Sequence, residues 1–163
     1  MAAYDPSEWH DLFVATTGAS AALAGLVFVA ISINIERILA LPGVPERGLE
    51  TVLLLTLVLL VSVVGLIPGQ SHVALALELL GIALAISTVI SRLPAIRSTG
   101  EQPRSSVIAR WVIRLTGTGL FLVGGISLLL EAGGGLYWVA AGIVLATAGA
   151  ITSAWVLLVE ILR

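Results

Sequence analysis

Five apolar runs, each close to or above the ~18 to 20 residues an α-helix needs to cross hydrocarbon, dominate this chain and leave it little choice of fold. They lie at about 8–40, 46–67, 72–93, 106–131 and 136–162, separated by Pro42-Gly43, Pro68-Gly69, a polar loop at 94–105 and the Ala132-Gly133-Gly134-Gly135 link. Hydrophobic residues fill 58% of the 163 positions and charged residues 11%, with mean hydropathy +1.10, where a soluble domain is about 25% charged. A soluble core cannot hide that much apolar surface. The expected fold is therefore all-α: one integral membrane bundle, 1–163, of five transmembrane helices.

Composition also narrows function. A net charge of −2 with no run of basic residues excludes phosphate-backbone tracking, so no nucleic acid is expected as a partner. The chain has no cysteine, which removes disulfides, thiolate chemistry and cysteine metal sites. The segment preceding the first apolar run carries Asp5 and Glu8 where a secretory signal carries base, so that run is expected to remain as a helix.

Asp5, Pro6 and Glu8 have the spacing of an N-cap, a first-turn proline and the acid of a capping box. The first helix then continues as a polar extension through Glu36 and Arg37. The second, rich in leucine and valine, has few small or polar residues and is expected to face lipid. The very short turn after it makes the second and third helices antiparallel neighbours.

Arginine placement sets orientation. Arg37, Arg47, Arg92, Arg97, Arg104 and Arg163 fall on one side and no arginine in the polar segments of the other, which predicts the N-terminus outside and the C-terminus cytoplasmic. Trp9, Tyr137 and Trp138 then sit at the outer interface, and Trp111 and Trp155 near the inner one. The expected location is the bacterial cytoplasmic (inner) membrane, multi-pass, with the lipid bilayer as first partner.

Within the first helix, steps of three and four residues connect Glu8, Asp11, Ala15, Gly18, Ala22, Gly25, Val29, Ser32 and Glu36. Such a stripe stays on one side of a helix that supercoils left-handedly. Two uses are open: close packing within or between subunits, or the lining of a path. In a ring of subunits Glu8 and Asp11 crowd one mouth and Glu36 the other, acids that concentrate cations, with an apolar neck near Val29. Alone, each acid is a solvated helix-end charge. A second small-residue stripe, Gly142, Ala146, Gly149 and Ser153, lies on the last helix.

Glu78 is the acid placed well inside an apolar run, roughly 9 Å along the helix from His72, and is an intramembrane functional candidate with Arg114 as the corresponding cation. Direct pairing of the two is disfavoured, because Arg114 lies about 25 Å from Glu131, in the other leaflet. Arg97, Arg104, Arg110 and Arg114 are suited to lipid headgroups. His10 and His72 show no metal-ligand spacing, and GxSxG and HExxH are absent, so no metal, cofactor or enzymatic activity is expected.

The run Ser20 to Ser32, SAALAGLVFVAIS, resembles the pore-lining first helix of Orai calcium channels. That resemblance implies a homo-oligomeric pore with the first helix on its axis. Ile33 stands where that family has its selectivity glutamate, and the nearest acid is Glu36; the family has four spans and a cytoplasmic N-terminus. The WHDLF start with GASAALAGLVFVAISIN also resembles uncharacterised small bacterial polytopic membrane proteins. The expected function is a homo-oligomeric pore passing inorganic cations. The alternatives are a non-conducting interaction protein assembled by its small-residue stripes, and a proton-coupled transporter using Glu78.

Overall fold

Asp5 caps the turn that leads into the first long helix, but a tighter turn than a capping box gives. Its carboxylate accepts from the Ser7 amide at 3.0 Å and the Ser7 hydroxyl at 2.7 Å, so Pro6–Trp9 winds as a 3₁₀ turn after a first one at Ala2–Tyr4. The computed structural model describes the backbone of residues 2–93 and 104–162, and the side chains of 2–93, 117–156 and 159. Six α-helices follow: α1 (His10–Ile33), α2 (Ile35–Ala40), α3 (Val44–Gly65), α4 (His72–Arg92), α5 (Arg104–Leu130) and α6 (Leu136–Leu162). No strand occurs among the described residues.

The expected helix over 8–40 is thus interrupted at Asn34. Its side-chain amide donates to the Ala30 carbonyl at 3.0 Å and its backbone N–H reaches Ile31, a local bonding pattern that competes with α-helix continuation. Gly43, at φ +83, then reverses the chain into Val44 and Pro45 at the head of α3. Ser71 caps α4 by accepting from the Ala74 amide at 3.2 Å.

Helices α3, α4, α5 and α6 form a closed ring in which each packs on the next and α6 returns to α3. Leu57, Leu79, Phe121, Leu128 and Ala146 fill its interior and are fully buried. Helix α1 lies outside this ring, packed along α3, with only slight contact to α6. Half of the apolar window of α3 is buried (50%), against about a tenth of that in the α1 span (11%).

The second helix, expected to face lipid, is therefore the most buried of these spans, packed against α1, α4 and α6, and only one side of it, with Leu60 and Val63, is left to lipid. In hydrocarbon, leucine and valine suit a protein neighbour as well as a lipid neighbour, so their abundance carries no address. What turns α3 inward is a set of small and hydroxylated positions at its contacts, Gly48, Thr51, Ser62 and Gly65, all buried.

Among the described residues four helices are long and apolar enough to cross a membrane, and Gly117–Leu130 adds a shorter apolar stretch in α5. The protein is an all-α, multi-pass membrane bundle. One end carries Arg37, Arg47 and Arg92 and is called the arginine end; the other, with the turns at Pro68-Gly69 and Gly133-Gly135, is called the turn end.

Candidate functional site

Helix α1 turns one face to α3 and the opposite face away from the protein. On the first, Phe13 and Ser20 are buried, and the Thr16 hydroxyl lies 2.7 Å from that of Ser62. Thr16 also donates to the Leu12 carbonyl at 2.8 Å, so Ser62 is the donor across the helix pair. On the second, Glu8, Asp11, Ala15, Gly18, Ala22, Gly25, Val29, Ser32 and Glu36 are all exposed. A methyl group added at Gly18 or Gly25 would meet nothing within 4 Å. The stripe has no packing role inside the subunit. Its first member, Glu8, lies in the 3₁₀ turn before α1, and its last, Glu36, follows the break at Asn34 and belongs to α2.

The corresponding stripe on α6 has the other fate. A Cβ on Gly142 would touch the Phe121 ring at 3.2 Å and Leu120 at 3.3 Å, Ala146 is fully buried, and Gly149 and Ser153 are half-buried. This stripe seats α6 in the ring. Other glycine seats escaped sequence reasoning: a Cβ at Gly124 would fall 2.7 Å from Val139, at Gly125 2.7 Å from Leu80, and at Gly65 2.6 Å from Phe13. The adjacent Gly124 and Gly125 inside an apolar helix were the available signal, since such a pair weakens a helix unless a neighbour needs the room.

Glu78 is half-buried near the turn end and accepts a 2.5 Å hydrogen bond from Gln70 Nε2, in the turn before α4. Its partner is a neutral amide. Nearby, His72 Nε2 lies 2.8 Å from Glu131 Oε1, joining the start of α4 to the α5–α6 link, where Glu131 adopts φ +48. The side chains of Arg104, Arg110, Arg114 and Trp111, and Arg97 with the rest of 94–103, lie outside the described residues.

A more deeply buried acid was missed. Glu50, near the arginine end of α3, is only 9% exposed and, like Arg47, has an interaction partner. The sequence signal was present in Glu46 and Glu50, one turn apart on a helix whose polar start overlaps its apolar body. Among the described residues no group of three His, Asp or Glu side chains is arranged to hold a metal ion. His10 is exposed, as are Glu8 and Asp11.

The N-terminal residues fasten α1 to the turn end. The Tyr4 hydroxyl accepts from the Gly134 amide at 3.1 Å, and the Trp9 ring stands edge-on to Tyr137 with centroids 4.8 Å apart. Trp9 Nε1 donates to the Ala2 carbonyl and Trp138 Nε1 to the Gly133 carbonyl, each at 2.7 Å. Gly135, at φ +48, lets the Ala3 carbonyl and Tyr4 ring close over the link. Beneath it the Ser127 hydroxyl donates to the Ala132 carbonyl and accepts from the Gly135 amide at 2.8 Å. The Asp5 carboxyl is held below the usual aspartate range, first by the Ser7 hydroxyl and then by the Ser7 amide.

No family model, curated protein or solved structure matches this chain.

Proposed function

We propose that the protein is a homo-oligomer of the bacterial inner membrane whose subunits meet through the α1 stripe, forming a cation path where several α1 helices surround one axis. The observation that carries this reading is the contrast between two small-residue stripes: the one on α6 is occupied by its own bundle, while the one on α1 is exposed along its whole length. Lipid tails are as apolar as leucine, so glycine and alanine at these positions gain nothing from lipid contact, whereas they let two helix backbones approach closely. Gly18, Ala22 and Gly25 offer that approach with large side chains such as Val14, Leu26 and Phe28 beside them.

Around an axis, the exposed carboxylates of Glu8 and Asp11 crowd one mouth and Glu36 the other, where rings of acid raise the local cation concentration. Val29 narrows the route between them. With the arginine end cytoplasmic, Glu8 and Asp11 face outward. Purified protein in liposomes is expected to pass monovalent or divalent cations, and Asp11→Asn with Glu36→Gln to lower cation preference. An oligomer that conducts no ion at any voltage or pH keeps the assembly and removes the pore. It leaves a non-conducting scaffold built on the same contact.

A further inference from the structure

We infer that the crevice between α1, α3 and α6 is a binding site for one acyl chain of a membrane lipid. Toward the turn end, the Tyr4 and Trp9 contacts tie α1 to the head of α6. Nearer the arginine end, the two helices leave between them a crevice of about 290 Å³. Its walls include Leu26 and Ala30 of α1 and Ala154 and Trp155 of α6, and its floor includes Thr51 and Leu55 of α3. All three helices have membrane-spanning length and hydropathy, so the crevice lies within the hydrocarbon region.

Three features select the occupant. Water needs two to four polar partners, and the Thr51 hydroxyl already donates to the Arg47 carbonyl at 2.9 Å, so a hydrated crevice is disfavoured. An empty one forfeits dispersion contacts along its whole lining. The concavity exists because Ala30, Ala150 and Ala154 stand where their neighbours carry Leu, Ile, Val or Trp, which produces a narrow apolar slot with a mouth of exposed Leu26, Ile151 and Trp155. Flexible hydrocarbon is the material at that mouth and conforms to such a slot. The charged groups described near the arginine end, Arg37, Arg47 and Arg92 with Glu36, Glu46 and Glu50, are of mixed sign, so the chain and not a particular headgroup is what the site recognises.

The crevice opens next to the α1 stripe, with Leu26 at the edge of both, while its floor on α3 and its wall on α6 belong to a single subunit whatever the subunit count. The test is reconstitution in phosphatidylcholine carrying a diazirine midway along one acyl chain, with cross-links mapped by mass spectrometry. Adducts are expected severalfold enriched at Leu26, Ala30, Ala154 and Trp155 over Leu77, Leu84 and Val144, which are similarly exposed to Leu26 and Trp155 and more exposed than Ala30 and Ala154 but lie outside the crevice. Filling the slot with Ala154→Phe, or with the milder Ala30→Leu, should abolish the enrichment. Adducts spread evenly over all lipid-facing residues of the native protein would overturn the proposal without bearing on the α1 contact. So would enrichment that survives in filled variants that fold normally, or filled variants that change the subunit count and leave the labelling unaltered.

Discussion

The ring of Phe13 occupies the space that a side chain on Gly65 would need: a Cβ there would fall 2.6 Å from Phe13 Cε2. This seat fixes α1 against α3 near the turn end, and Phe13 is fully buried in it. Gly65→Ala is expected to displace the ring and cost about 1–3 kcal/mol, the usual penalty for overpacking a filled interior. Gly18→Ala and Gly25→Ala, with open space at both positions, should leave the thermal unfolding of the separated subunit unchanged or slightly raised. Thermal melts in detergent compare the three directly.

That pair of outcomes shows what was legible in the sequence. Run lengths, Pro42-Gly43, Pro68-Gly69 and the glycine link marked the helices well, because bilayer thickness and turn chemistry act locally. Neighbours were another matter. Gly18, Ala22 and Gly25 read much like Gly142, Ala146 and Gly149, yet the first set is exposed while Gly142 and Ala146 are buried, Gly142 against Phe121 and Leu120 of α5. Spacing records which residues share a face, not what covers it. The same gap made α3 look lipid-facing, hid the buried Glu50, and left Glu78 without its Gln70 partner, which comes from a turn and not from another span.

The Thr16 and Ser62 hydroxyls make the polar contact between α1 and α3. Thr16→Val keeps the shape but removes the acceptor, and Ser62→Ala removes the donor. A double-mutant cycle should return a coupling of roughly 0.6 kcal/mol, and not above about 1.7, the range found for interhelical hydrogen bonds in membranes. Zero coupling would mean that the pair forms no bond in the bilayer.

The N-terminal fastening should be visible at a single amide. With Tyr4→Phe, the Gly134 N–H loses its acceptor and should exchange with deuterium faster, while core amides of α3 keep their protection. Trp9→Ala removes the contact with Tyr137 and should loosen the same link further.

Acid should loosen the Ala2–Trp9 segment by a route of its own. The Asp5 carboxyl has its folded-state pKa lowered by Ser7, so its contribution is fully present above the ordinary aspartate range and is lost as pH falls through the lowered value. Limited proteolysis at the N-terminus should therefore accelerate as pH drops below that range. In Asp5→Asn the rate should be higher at neutral pH and no longer depend on this titration.

Subunit stoichiometry in native-lipid nanodiscs, measured by native mass spectrometry for the wild type beside a Gly18→Leu, Gly25→Leu double variant, tests the α1 contact most directly. The α1 contact predicts more than two wild-type copies around an axis, and a double variant that keeps its helicity but separates into single subunits, since leucine blocks close approach at positions open to the outside of its own bundle. A monomeric wild type, or a leucine variant that retains the wild-type count, would contradict it.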